Sequence, residues 1–319
     1  MSVILVTGGA GFIGSNLADY LLKCNNSVIV IDNFNDYYNP EIKEKNIADA
    51  LKNKNFSLYR GNIGDSAFVD NILKKHHPDA VVHLAGSAGV RPSITAPLSY
   101  IENNIKNTVS LLECLKNNNV KKIVFASSSS VYGNSPHTKF SENDNLQMPI
   151  SPYAASKLSC EHFLYTYARL YNITTRCLRF FTVYGPRQRP DLAICKFIQK
   201  IHTGKPIDVY GDGCSARDYT YIDDIVAGIA AALQDNSSLF EIVNLGNGSP
   251  VSLSDMIKTI EQALHKKAVI RYTESQPGDT QRTHADIEKA RKLWNYQPKT
   301  TFAEGIEKYI IWLQNNRQL

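Results

Sequence analysis

A short apolar run, Val3-Ile4-Leu5-Val6, passes directly into Thr7-Gly8-Gly9-Ala10-Gly11-Phe12-Ile13-Gly14 and then into a helix-length stretch ending at Cys24. Few folds accept that order, because a strand must stop in a glycine turn and a helix must start at once. The spacing Gly8-x-x-Gly11-x-x-Gly14 supplies a tight turn, close backbone approach to a pyrophosphate, and close helix–strand packing. The N-terminus of the new helix, with Phe12 and Ile13 in its first turn, then faces the phosphates. Asp32 closes the second apolar run, 18 residues past Gly14. A carboxylate there accepts hydrogen bonds from a ribose diol and repels a 2′-phosphate, so NAD is expected in preference to NADP. A purely structural glycine turn is the alternative, and the strand before it and the helix after it argue against that. Asn62-Ile63 is expected at the adenine, and Leu84-Ala85 near the cofactor's phosphates and nicotinamide ribose, although such positions are often only strand ends.

The rest of the first half repeats the alternation. Val3–Val6, Ser27–Ile31, Ser57–Arg60, Ala80–Leu84, Lys122–Ser127 and Thr174–Phe180 read as strands. Ile13–Cys24, Asp65–His77, Asn103–Asn117 and Pro152–Tyr171 read as helices between them. Continuous apolar strands alternating with helices predict an α/β chain, a Rossmann-type doubly wound parallel sheet covered on both faces. After Phe181 the pattern is broken by Pro186, Pro190, Pro206, Gly211 and Gly213. Helices are expected at Leu253–His265, Ile287–Leu293 and Phe302–Asn315. The expected division is a dinucleotide-binding domain over 1–180 and a smaller α/β substrate-binding lobe over 181–319, with segments near 222–246 returning to the sheet.

Composition narrows the partners. In a chain of 319 residues a net charge of +5 is a mild excess, carried without a run of five basic residues, so nucleic acid is a poor candidate. Cys24, Cys114, Cys160, Cys177, Cys195 and Cys214 form no CxxC pair and no metal-ligand spacing with histidine. They read as thiols in a reducing compartment, with no metal expected. The opening residues read as a strand rather than a signal peptide, and no stretch of about 18 apolar residues exists to span a membrane. A cytoplasmic location is the expectation.

Chemistry is carried by Tyr153-Ala154-Ala155-Ser156-Lys157, which sets a phenol and an ammonium at i and i+4 on one helix face. A neighbouring cation favours phenolate, so Lys157 is expected to lower the pKa of Tyr153. The serine run Ser127–Ser130 ends the fifth strand, and one of its hydroxyls can bridge to a substrate hydroxyl. The segments that set these features in order along the chain are TGGAGFIGSNL at 7–17, VVHLAGSAGVRPS at 81–93, FASSSSVYG at 125–133, SPYAASK at 151–157, RFFTVYGPRQRPD at 179–191, RDYTYIDD at 217–224, NLGNG at 244–248 and PGDTQRTHAD at 277–286. Together they resemble the extended short-chain dehydrogenase/reductase family, specifically its NAD-dependent nucleotide-sugar epimerases, over nearly the whole chain. The resemblance implies Tyr153 as general base, Lys157 as its activator and ribose contact, and Ser128 as the catalytic Ser/Thr. It also implies Arg217 and Arg282 on the substrate diphosphate, and Val209-Tyr210 at the uracil edge. Two departures stand out: Gly86 where many relatives have Ala, and Asn62 where many have Asp.

Members of this family share oxidation at the sugar C4 and diverge afterwards. Dehydratases of this type carry Thr-Asp-Glu just before VYG, and decarboxylases carry Glu there. This chain has Ser128, Ser129 and Ser130. Without those acids, return of the hydride to the opposite face becomes the expected outcome, which is epimerisation of a UDP-sugar. Thr182 and Arg189 resemble the branch that handles a uronic acid, with a hydroxyl and a guanidinium for a C6 carboxylate, so conversion of UDP-glucuronate to UDP-galacturonate is expected. The alternatives are epimerisation of UDP-glucose or UDP-N-acetylglucosamine, with Arg189 merely paired to Asp191 or facing solvent, or a non-catalytic NAD-sensing protein on the same scaffold. A homodimer is expected by family analogy, through helices carrying Ile105, Val109 and Leu112 and Leu158, Phe163 and Leu164.

Overall fold

The structure, a computed structural model, describes residues 1–144, 148–274 and 281–319. Its first part runs β1 (Val3–Thr7), α1 (Phe12–Lys23), β2 (Ser27–Asp32), α2 (Pro40–Ile47), β3 (Phe56–Arg60), α3 (Ser66–His76), β4 (Ala80–His83), α4 (Val90–Thr95), α5 (Pro97–Tyr100), α6 (Asn107–Asn117), β5 (Lys122–Ser128), α7 (Pro152–Tyr171) and β6 (Thr174–Phe180). Local chemistry sets the ends. The side chains of Asn39, Asp65 and Ser151 accept hydrogen bonds from the first-turn amides of Glu41, Phe68 and Ala154. Pro40 and Pro152 start their helices where no amide is needed, and Asn172 ends α7 at φ 53°.

The second part runs β7 (Thr182–Tyr184), α8 (Ala193–His202), β8 (Ile207–Tyr210), β9 (Ala216–Arg217), β10 (Tyr219–Tyr221), α9 (Ile222–Gln234), β11 (Phe240–Leu245), β12 (Val251–Ser252), α10 (Leu253–Leu264), β13 (Ile270–Thr273), α11 (Glu288–Trp294) and α12 (Phe302–Asn315). Seven strands form one parallel sheet in the order β11-β6-β5-β4-β1-β2-β3. This is the doubly wound arrangement the alternation predicts. Side chains leave alternate faces of each strand, so Ile4 and Val6 of β1 join one core while Leu5 joins the other. Strand order reverses between β1 and β4, which opens a crevice at the carboxyl ends of the strands. β11 pairs with β6 from Phe240–Thr175 to Leu245–Phe180, and α9 packs on α1, so residues 222–245 lie with the sheet layers. The short pairs β7–β10, β8–β13 and β9–β12 lie outside the sheet.

Four helices were not expected from the sequence: α2, α4, α8 and α9. The helix expected from Asn103 begins earlier, at Pro97, and passes through a π turn at Ile101–Lys106 before α6. Leu112 and Leu164, expected to be available for a partner helix, are fully buried in the chain's own core. Among the described residues no helix is long and apolar enough to cross a membrane.

Candidate active site

A cavity of about 520 Å³ lies along the carboxyl ends of β1, β2, β4, β5 and β6. At its floor, Gly8 turns with φ +69°, and a Cβ on Gly14 would stand 2.3 Å from the Gly8 carbonyl oxygen. Neither position tolerates a side chain, so a phosphate can approach the backbone closely where α1 begins. Below the turn, His83 meets the Thr7 hydroxyl at 2.7 Å through Nδ1 and the Thr108 hydroxyl at 2.9 Å through Nε2. Burial, with the Lys157 charge adding to it, holds the His83 pKa down to about 3, so the ring is a neutral brace between β1 and α6.

Asp32 is buried at the end of β2. Its Oδ2 accepts the Ala10 amide at 3.2 Å, and its Oδ1 accepts the Phe34 amide at 2.9 Å. Lys43 from α2, which the sequence reading missed, donates to the same Oδ1 at 3.1 Å and to Asn35 Oδ1 at 3.3 Å. Asn62 and Ile63 line the wall beyond, and Asn62 Oδ1 accepts the Gly64 amide at 2.9 Å. Gly11, Phe12, Ile13, Leu84 and Ala85 complete this end. A glycine turn closed to a Cβ at Gly8 and Gly14, with a buried carboxylate able to accept from a ribose diol, fits a dinucleotide.

Ser128, Tyr153, Lys157, Thr182 and Arg189 line the far end of the same cavity. Tyr153 sits on the first turn of α7, edge-on to Tyr100 with ring centres 6.1 Å apart. Burial raises its pKa. A hydrogen bond with Ser128 and the Arg189 charge work downward, and the net direction is upward. The expectation that Lys157 lowers it is corrected by where the ammonium points. Lys157 Nζ donates to the Ala126 carbonyl at 2.8 Å and lies 4.8 Å above the Phe125 ring. Burial in turn lowers the Lys157 pKa. Behind the site, Ser127 donates to Glu161 at 2.5 Å, and Glu161 takes both arms of Arg179, at 3.0 and 2.7 Å. Arg179 continues to the Tyr132 hydroxyl at 3.0 Å, and that hydroxyl donates to Asn244 at 2.7 Å. This buried chain ties α7 and the ends of β5, β6 and β11 together, so the serine run and α7 keep one relative position.

Arg189 pairs with Asp191 through Nε and Nη2, both at 2.9 Å, while its guanidinium lies 5.1 Å over the Tyr37 ring. Nη1 takes no part in that pair. Tyr37, also missed, is pinned by its hydroxyl to the Ala88 carbonyl at 2.6 Å. Four expected contacts do not line this cavity: Val209, Tyr210, Arg217 and Arg282. Val209 is a buried residue of β8, and Tyr210 is exposed with Arg91 stacked 4.9 Å over its ring. Arg217 donates to the Ala216 and Gln281 carbonyls, and Arg282 bridges Ala216. The two arginines thus sit together on the lobe, with the Arg91–Tyr210 stack leading to Val90 on the cavity wall. Residues 277–280 of the PGDTQRTHAD segment lie outside the described residues.

The profile of the family described as GDP-mannose 4,6 dehydratase matches residues 5–309. The UDP-glucuronate 4-epimerase of Thermodesulfobacterium geofontis is 42% identical over 321 residues, covering 100% of this chain and 98% of that protein. This chain belongs to the extended short-chain dehydrogenase/reductase family, among its nucleotide-sugar epimerases. The crystal structure of the Bacillus cereus UDP-glucuronic acid 4-epimerase, in complex with UDP-glucuronic acid and NAD, superposes with TM-score 0.93 at 38% identity, covering 98% of this chain and 99% of that one. A Thermotoga maritima UDP-glucose 4-epimerase with UDP-glucose is similar at TM-score 0.90 and 31% identity, covering 99% of both chains. Backbones this similar therefore belong to epimerases of a uronic acid and of a neutral hexose alike.

Proposed function

We propose that the chain is an NAD-dependent 4-epimerase that interconverts UDP-glucuronate and UDP-galacturonate. The observation that carries it is one cavity in which Arg189 faces the Ser128–Tyr153 pair, with serine at all three positions before Val131-Tyr132-Gly133. Asp32, Gly8, Gly11, Phe12, Ile13, Gly14, Asn62, Ile63, Leu84, Ala85, Tyr153 and Lys157 would hold NAD, which when bound would supply reversible hydride acceptance. Tyr153 removes the proton from the C4 hydroxyl and later returns one to O4. The Ser128 hydroxyl, hydrogen-bonded to Tyr153, holds O4 in line during both transfers. No carboxylic acid stands at 128–130 to drive loss of water from the 4-keto sugar. Arg189 and Thr182 receive the C6 carboxylate, and a carboxylate held as a localised anion resists loss as CO2. Arg217, Arg282, Val209 and Tyr210 supply the diphosphate and uracil contacts from the lobe.

The Arg189–Asp191 pair also favours a second reading. It satisfies the guanidinium without a sugar carboxylate, as a UDP-glucose or UDP-N-acetylglucosamine 4-epimerase requires. Incubation with each UDP-sugar and chromatography of the products separates them: UDP-galacturonate from UDP-glucuronate supports the first, and turnover confined to neutral sugars rejects it.

The working form we infer is a homodimer in the cytoplasm. Leu98 and Ile101 are exposed beside α7, and Phe163 and Leu170, two helical turns apart on α7, are exposed as well. These four side chains, not Leu112 and Leu164, form the apolar face that a second copy covers. Ile105, Val109 and Leu158 are half-buried between that face and the core.

A further inference from the structure

The ribose end of the cavity holds two opposite charges, not one. Asp32 and Lys43 form an ion pair at 3.1 Å with side-chain exposures of 7% for the lysine and 4% for the aspartate. Both line the cavity. A buried lysine in contact with the aspartate cancels most of the field by which that aspartate would repel a 2′-phosphate. Charge repulsion alone therefore does not explain selection against NADP at this site.

The lysine is also held in place without Asp32. Its Nζ reaches Asn35 Oδ1 at 3.3 Å and lies 5.4 Å from the centre of the Tyr38 ring. Asp32 in turn keeps its backbone partners Ala10 and Phe34 without Lys43. Each member can be removed while the other's remaining contacts stay in place.

We propose that Lys43 is a masked 2′-phosphate site, and that Asp32 selects NAD by occupying this ammonium as well as by accepting the ribose hydroxyls. The inference rests on the dinucleotide reading of the cavity and deepens it. Two opposite consequences follow. Removing the ammonium leaves an uncompensated buried carboxylate, which sharpens rejection of NADP. Removing the carboxylate leaves a buried ammonium without its counter-ion, which a 2′-phosphate neutralises. A selectivity device built on Asp32 alone gives the second result but not the first, and gives it without help from Lys43.

The test is calorimetric titration of NAD and NADP into protein freed of bound nucleotide, for wild type, Lys43→Met, Asp32→Asn and the double variant. Asp32→Asn is chosen because it keeps the side chain's shape and one acceptor oxygen, enough for one of the Ala10 and Phe34 amides. The ratio of NADP to NAD dissociation constants should rise about tenfold in Lys43→Met. It should fall by about tenfold to a hundredfold in Asp32→Asn, the range of a hydrogen bond to a charged group. The double variant should lose that gain in NADP affinity. An unchanged ratio in Lys43→Met, or a double variant that takes NADP as well as Asp32→Asn does, overturns the inference while leaving the dinucleotide reading intact. Wild-type protein that binds neither nucleotide overturns both.

Discussion

At the scale of single residues the chemistry turns on Tyr153, whose hydroxyl is hydrogen-bonded to Ser128. Tyr153→Phe removes the group that takes the proton and leaves the ring packed on Tyr100. Turnover should fall by about a hundredfold or more, the usual loss for a general base, with UDP affinity nearly unchanged by calorimetry. Near-normal turnover in that variant removes Tyr153 from the mechanism. Arg189 has two separable effects. As a carboxylate partner, its loss in Arg189→Leu should narrow the preference for UDP-glucuronate over UDP-glucose by about 1.5–3 kcal/mol, read from the ratio of kcat/KM values. As a cation that lowers the Tyr153 pKa, its loss should also move the ascending, acid-side limb of the kcat/KM profile to higher pH, with UDP-glucose as with UDP-glucuronate. A guanidinium that only pairs with Asp191 leaves the sugar preference unchanged.

Elements explain why some of this was legible in the sequence and some was not. The strands of the sheet are buried on both faces, so they read as continuous apolar runs, and six of the seven were found within a residue of their ends. The glycine turn was legible because its constraint is local: strand, turn and helix are contiguous. Gly14→Ala tests it, since the new methyl would meet the Gly8 carbonyl oxygen at 2.3 Å and backbone cannot rotate away. The turn should shift, with NAD binding lost on titration and stability reduced by about 1–3 kcal/mol in thermal unfolding. Normal NAD affinity in that variant removes the turn from the phosphate site. By contrast α2 was invisible because the residues it buries include Lys43 and Asn46, so its inward face is polar and no apolar period marks it. The Asn39-Pro40-Glu41 start was the available signal. α8 does have Ile194, Ile198 and Ile201 at helical spacing, but the prolines on either side read as breakers. Tyr37 was missed for a different reason. It lies in a connection with no periodicity, and only the folded chain lays its ring under Arg189, 152 positions away.

At the scale of the whole molecule, one test concerns assembly and another the pH range of the fold. A dimer through the exposed Leu98, Ile101, Phe163 and Leu170 face should be seen by light scattering at micromolar concentration, and Leu170→Glu should shift it to monomer; a wild-type monomer refutes the arrangement. Asp235 and His83 set the acid limit of the fold. Arg176 is fully buried on β6, where Asp235 at the end of α9 accepts its Nε at 2.7 Å. Burial alone would raise the Asp235 pKa, but hydrogen bonds from Ser237 and Arg176 outweigh it and hold the carboxyl well below its ordinary 3.8. A depressed carboxylate contributes stability that is present above its unfolded value and is lost as pH falls through the folded one. His83 has an ordinary value of 6.5 and a folded value of about 3, so the unfolded chain takes up a proton that the folded chain refuses. Its contribution is complete above 6.5 and is lost progressively as pH falls toward 3. The melting temperature should therefore be flat above pH 7, decline from about pH 6.5 with His83, and fall more steeply below pH 4 as Asp235 joins. His83→Asn should flatten the upper part of that decline. Asp235→Asn should remove the lower part and cost about 3–5 kcal/mol at neutral pH, because it strands the Arg176 charge inside the protein. An upper slope unchanged in His83→Asn assigns the acid sensitivity to other groups and leaves His83 only its role as a brace between Thr7 and Thr108.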